Sequence, residues 1–250
     1  MSQSINTTTG LIGFGAFGQL IAQHLAPRVQ LFAYDPALPC DGCVDTSGTR
    51  LTGLAEAAGC AIVILAVPVN RLEASVKAIA PHLQPGALVL DVGSVKLVPV
   101  EIMLRGLPAH VDIVASHPLF GPQSAAMGIE GLKIALCPIR GTRVRGVAAF
   151  LRSLGLEVIM TTPDAHDREA AIVQGLTHLI AKVLVQMEPL PTRMTTRSFD
   201  LLMQGVGMVR HDAPEVFQAI ERANPHSKEV RRRFFDLIAK LDAELSQEIP

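Results

Sequence analysis

Gly13-Phe14-Gly15-Ala16-Phe17-Gly18 stands directly after a short apolar run and directly before an amphipathic stretch, and few folds accommodate that order. Gly13 permits a tight turn, Gly15 leaves room for a ligand, and Gly18 lets a helix pack closely on a strand. A helix opening here offers its first amides and the positive end of its dipole to an anion. The reading is a strand, loop and helix that cradle the pyrophosphate of a dinucleotide through Gly13, Gly15, Ala16, Phe17 and Gly18. The bland alternative is a strand-to-helix turn without a ligand. Asp35, seventeen residues after Gly18, ends the second predicted strand, where an acid accepts from adenosine ribose hydroxyls and repels a 2′-phosphate. NAD is therefore expected over NADP, and the absence of Lys or Arg between Arg28 and Arg50 agrees with that.

Further apolar runs at 10–12, 29–34, 61–66, 87–91, 111–115, 133–137 and 157–160 read as strands, mostly buried on both faces. Amphipathic stretches at 17–25, 71–80 and 144–154 lie between several of them, the pattern of a parallel sheet with right-handed crossovers. After Thr161-Thr162-Pro163-Asp164 the strand pattern stops. Thr162 as cap, Pro163 at the first helical position and acids at 164 and 167 predict a helix from 163 to about 187. More helices are expected over 192–209, 213–223 and 226–246. The fold class is thus α/β, a Rossmann-type mostly parallel sheet domain at 1–162 followed by a smaller all-α domain at 163–250. A helical piece of that size has a small core, so dimerisation through it is expected.

Composition narrows the function. With 22 Lys+Arg against 23 Asp+Glu, a net charge of −1 offers no global field for nucleic acid or an anionic membrane. The longest strongly apolar run, 60–69, is short of the roughly 20 residues that a membrane helix needs. Residues 1–10 carry no basic or apolar leader pattern, so the expected compartment is the cytoplasm. Cys40-Asp41-Gly42-Cys43 has C-x-x-C spacing but no second pair nearby, and it reads as reduced thiols in a loop rather than a redox or metal site.

Two strands should end beside the nucleotide. Asp91-Val92-Gly93-Ser94-Val95-Lys96 follows one, and Ser116-His117-Pro118-Leu119-Phe120-Gly121-Pro122 follows the next. The carboxyl edge of an open parallel sheet is where ligands sit. His117 can take a proton from a substrate hydroxyl while hydride leaves the same carbon, and Ser94 can orient the imidazole or bond that hydroxyl.

In order and spacing these motifs, with Asp164-Ala165-His166-Asp167 and Gln174-Gly175-Leu176-Thr177-His178, resemble the prephenate/arogenate dehydrogenase family, especially its compact arogenate branch. The resemblance implies a nucleotide-binding domain, a helical dimerisation domain, and an active site in the cleft between them. It implies His117 as the catalytic histidine, Ser94 as its support and His178 as a histidine of the substrate pocket. Gln123 falls where some relatives have a glutamate near the substrate side chain. His166 reads as a cap or interdomain contact. The family's substrate-binding arginine has no counterpart in register; Arg210 is the nearest substitute for gripping a carboxylate, with Arg197 and Lys182 as alternatives. Arg231-Arg232-Arg233 reads as surface.

The implied reaction is oxidative decarboxylation of a cyclohexadienyl acid, with arogenate to tyrosine favoured over prephenate to 4-hydroxyphenylpyruvate. Rivals are a prephenate or dual-specificity enzyme, a relative acting on an amino-substituted prephenate, a β-hydroxyacid dehydrogenase or imine reductase, and a dinucleotide-sensing regulator. The reductases would normally place a lysine or an acid on the long helix, and the regulator would not need His117.

Overall fold

A computed structural model describes residues 7–38 and 42–247, so Cys40 of the C-x-x-C sequence lies outside the described residues. The chain forms two compact units, Met1–His166 and Asp167–Pro250. In the first, eight strands form one sheet in the order β3-β2-β1-β4-β5-β6-β7-β8. They are β1 (Thr8–Ile12), β2 (Gln30–Tyr34), β3 (Arg50–Leu51), β4 (Ile62–Leu65), β5 (Leu88–Asp91), β6 (Asp112–Pro118), β7 (Lys133–Arg140) and β8 (Glu157–Met160). All neighbouring pairs are parallel except β6 with β7. The chain leaves β1 to build one half of the sheet and returns on its other side with β4. The glycine-rich loop at the carboxyl end of β1 therefore lies at the point where strand order reverses.

Side chains alternate between two cores, which explains why the central runs are apolar at every position. On one face Val63, Leu65, Val89, Ile113 and Ala115 meet helices α2 (Leu54–Ala58), α3 (Val69–Ile79) and α4 (Leu97–Gly106). On the other, Ile64, Leu88, Leu90, Val114 and Leu136 meet α1 (Ala16–Leu25) and α5 (Val144–Ser153). Two short elements, β3 and α2, and the whole of α4 lie outside the sequence expectation. Pro99 falls in the first turn of α4, where a missing N–H costs no intrahelical bond.

The expected strand at 111–115 is longer than its apolar run. β6 continues through Ser116, His117 and Pro118 because these pair antiparallel with Leu136, Ala135 and Ile134 of β7. His117 therefore lies within a strand, not after one, and this pair is the antiparallel exception in the mostly parallel sheet. The connection 119–132 contains no helix, so it makes a return rather than a crossover.

The second unit is helical. Helix α6 (Pro163–Gln186) begins in the first unit, where Ala165 N–H donates to Thr162 Oγ1 at 3.3 Å. Helix α7 (Arg197–Val209) starts later than expected because Thr196 caps it, accepting from Phe199 N–H at 3.3 Å. Then come α8 (Pro214–Gln218), a π-helical turn (Ala219–Ala223) and α9 (Ser227–Leu245). Arg231 departs from the surface reading: its guanidinium pairs at 2.5 Å with Glu221, whose side chain is buried, while Arg232 and Arg233 are exposed. Leu201, Leu202 and Met208 of α7 and Phe235, Ile238 and Leu241 of α9 are exposed apolar side chains.

Candidate active site

The first glycine loop divides its labour. A Cβ on Gly13, at φ +100°, would stand 2.4 Å from the Ala66 carbonyl oxygen, and one on Gly18 would stand 2.3 Å from that of Gly13. Packing demands both glycines. Gly15 instead faces open space with nothing within 4 Å, so packing does not require it and room is left for a ligand. It caps α1 without a side-chain bond, and no acid sits in the first turn to oppose an anion. The carboxylate of Asp35 ties this loop to the end of β2, accepting from Phe14 N–H at 2.8 Å through Oδ2 and from Ala37 N–H at 2.9 Å through Oδ1. A carboxylate oxygen holding one such bond retains capacity for a ribose hydroxyl. The residues fit a dinucleotide. The Phe17 side chain turns elsewhere, its ring 6.4 Å from that of Phe120.

The next strand ends are locked by a lysine that the sequence reading passed over. Lys96 is fully buried, and its Nζ donates to Asp91 Oδ2 at the end of β5 and to the backbone carbonyl of Ser116 in β6. Ser116 Oγ donates to the Asp91 carbonyl at 2.5 Å, and Gly93 N–H donates to Asp91 Oδ2 at 3.0 Å. A charge surrounded by Val95, Leu97 and Val98 in sequence needs an acid nearby, and Asp91 in the same motif was the available signal. Ser94 sits half-buried in this turn and makes no hydrogen bond to His117 among the described residues.

His117, 3% exposed, has another partner. Its Nδ1 lies 2.8 Å from Nε2 of His166, with the rings edge-on at 67°. Burial, the adjacent His166 and the Lys96 ammonium, in that order, hold the His117 pKa well below the usual imidazole value. The ring is therefore neutral at neutral pH. Gln123, in the loop after β6, keeps Oε1 buried without a partner among the described residues.

In the second unit His178 is buried, with Nδ1 at 2.9 Å from the Gln174 carbonyl and Nε2 at 3.1 Å from Asp212 Oδ2. The side-chain Oε1 of Gln174 is itself buried without a partner among the described residues. Arg210 is engaged by both oxygens of Glu188, at 3.0 and 3.1 Å. Of its alternatives, Arg197 is exposed and Lys182 Nζ lies 5.3 Å from the centre of the Phe217 ring. The geometry thus brings together His117, His166, Lys96 and Asp91 within one unit, and His178, Gln174 and Asp212 within the other.

Residues 41–160 match the family model of the prephenate dehydrogenase nucleotide-binding domain. A probable arogenate/prephenate dehydrogenase of Methanocaldococcus jannaschii is 29% identical over 187 residues, covering 70% of this chain and 41% of the relative. Over these residues the chain is similar to the prephenate/arogenate dehydrogenases. Arogenate dehydrogenase 1 of Arabidopsis thaliana, a chloroplastic protein, is 24% identical over 94% of this chain and 39% of its own length. The chain thus spans about two fifths of the length of these two relatives. Its fold is that of the Aquifex aeolicus prephenate dehydrogenase solved with hydroxyphenyl propionate and NAD+, at a TM-score of 0.74 and 23% identity over 99% of this chain and 94% of that one. Synechocystis arogenate dehydrogenase superposes at a TM-score of 0.67 with 20% identity, over 95% and 92% of the two chains. Among the described residues no helix is long and apolar enough to cross a membrane, and no group of three or more His, Cys, Asp or Glu is placed to hold a metal ion.

Two measurements test this geometry. Gly18→Ala should lower the unfolding midpoint in a denaturant titration, because its Cβ meets backbone, whereas Gly15→Ala should leave the midpoint unchanged and weaken dinucleotide binding; equal midpoints would refute the division of labour. The depressed His117 pKa also sets a sign. Both folded and unfolded states hold a neutral His117 at high pH, and as pH falls below about 6.5 the unfolded chain takes up the proton first, so the stability contribution present above that pH is lost towards the folded pKa. The stability of the wild type relative to His117→Asn should therefore decline between pH 7.5 and pH 5, and a difference independent of pH would count against the neutral buried ring.

Proposed function

We propose that the chain catalyses NAD-dependent oxidative decarboxylation of a cyclohexadienyl acid, with arogenate preferred over prephenate. The observation that carries the reading is His117: a buried, neutral imidazole at the carboxyl edge of the sheet that also bears the glycine loop, with one nitrogen committed to a neighbour and Nε2 left for a ligand. The names of the relatives support the reaction class, and both arogenate and prephenate occur among them.

Gly15 and the uncapped start of α1 would receive the pyrophosphate, and Asp35 the adenosine ribose. The bound nicotinamide supplies a hydride acceptor. His117 Nε2 takes the proton of the ring 4-hydroxyl as the hydride leaves that carbon; the ring carboxylate departs as carbon dioxide, its bonding pair completes an aromatic phenolate, and the phenolate oxygen recovers the proton from His117. Aromatisation drives the reaction, so the protein contributes mainly position and a base in the correct state. Ser94, in the turn between β5 and α4, is assigned to the substrate hydroxyl. Gln123 and His178 are assigned to the substrate, and the partnerless Gln123 Oε1 suits a donor such as the arogenate ammonium. Arg210 is the candidate for the side-chain carboxylate, which would replace Glu188 in its fork.

The domain roles follow: 1–162 holds the nucleotide and 163–250 supplies substrate contacts and dimerisation. The exposed apolar side chains of α7 and α9 support a homodimer, since a surface of this kind is costly in water.

Steady-state assays with arogenate and prephenate, each with NAD and NADP, should give NADH from arogenate most efficiently; no turnover with either substrate would sink the assignment. His117→Asn should lower kcat by about 10²–10⁴-fold with NAD affinity nearly unchanged. The acid limb of kcat/KM should fall below about pH 6.5, because that limb reports the free-enzyme base. In light scattering the chain should run as a dimer and Ile238→Glu/Leu241→Glu as a monomer; a monomeric wild type would overturn the role given to the helical unit.

A further inference from the structure

A base is defined by which of its nitrogens carries the proton, and for His117 that choice belongs to one neighbour. His166 occupies the first turn of α6, is 5% exposed, and directs Nε2 at His117 Nδ1 from 2.8 Å. The rings meet at 67° with centroids 5.0 Å apart, so the two nitrogens face each other and the rings are not stacked. A hydrogen bond between two imidazoles needs one donor and one acceptor. With the proton on His117 Nδ1, its Nε2 carries a lone pair and can accept from a hydroxyl. With the proton on His166 Nε2 the arrangement reverses, and His117 presents an N–H that cannot take a proton.

We infer that His166 is a positioning residue for the reaction proposed above: its Nε2 accepts from His117 Nδ1–H and so holds the base in the tautomer whose Nε2 is free to receive the substrate proton. The other titratable group facing His117 is Lys96, from the turn before α4, and its ammonium is already committed to Asp91 and the Ser116 carbonyl. It holds the strand bearing His117 but donates only, so it cannot serve as the acceptor that Nδ1–H requires. His166 is the neighbour that can. When His117 receives the substrate proton at Nε2, both of its nitrogens carry hydrogens and the bond to His166 persists, so the same contact that sets the tautomer also steadies the imidazolium. The chain separates these residues by 49 positions. Only the meeting of β6 with the start of α6 joins them.

The proposal sets substitutions at one position against each other. Glutamine retains an oxygen able to accept from Nδ1–H, whereas leucine has none. His166→Leu should lower kcat by about 10²–10⁴-fold, the scale on which a histidine base suffers when its orienting partner is lost, with KM little changed. His166→Gln should recover activity to within about tenfold of wild type. Equal impairment of both variants, or wild-type kcat in His166→Leu, would overturn the assignment. A second measurement needs no variant at position 166 and no substrate. In nitrogen-15 histidine spectra of the unaltered protein, the signal lost in His117→Asn should show the Nδ1–H tautomer; an Nε2–H tautomer refutes the role of His166. Because that tautomer is read without turnover, failure of every substrate assay would strike the proposed reaction and not this contact.

Discussion

The ion pair between Lys96 and Asp91 organises the carboxyl edge of the sheet. Both side chains are buried, and the ammonium also holds the Ser116 carbonyl, so the ends of β5 and β6 and the turn entering α4 are drawn to one point. Such a pair need not stabilise a protein relative to an apolar substitute, but removing one partner leaves an uncompensated buried charge, at a cost of about 3–5 kcal/mol. What the pair provides is position. His117 follows Ser116 directly, so the backbone carrying its imidazole is pinned on one side by Lys96 and on the other by the ladder to β7.

The same carboxyl edge carries the nucleotide loop, and a different constraint operates there. Gly13 and Gly18 have backbone where a side chain would begin, and Gly15 has nothing. The bare middle glycine leaves room for a ligand at the start of α1. The hydrogen bond from Phe14 N–H to Asp35 makes the loop and the end of β2 one piece, so the candidate pyrophosphate and ribose contacts are held in fixed relation.

Much of this was legible in the chain, and the exceptions have physical causes. The Rossmann-type sheet and the helical second unit followed from apolar runs alternating with helical periodicity. β3, with two residues, and α2, with five, are too short to show a period. The extent of β6 was hidden because Ser116-His117-Pro118 breaks the apolar run, while its pairing with β7 depends on a partner distant in sequence. A hint was available: the glycines and prolines between Pro118 and Lys133 leave no room for a crossover helix. The contact between His117 and His166 had no such hint, since periodicity reports faces of elements and not the meeting of two side chains. Arg210 illustrates the converse, because a cation identified by position along the chain is already held by Glu188.

The strand placement of His117 has a consequence for how such a protein can diversify. His117, His166 and Lys96 all lie in the first unit, whereas Gln174, His178 and Arg210 lie in the second. Under the proposed function, proton chemistry and selection of ring substituents fall to separate stretches of chain. Under that proposal, substitutions in the second unit would sample new side-chain preferences without touching the contact between His117 and His166, a modular arrangement in which one edge could serve several related acids.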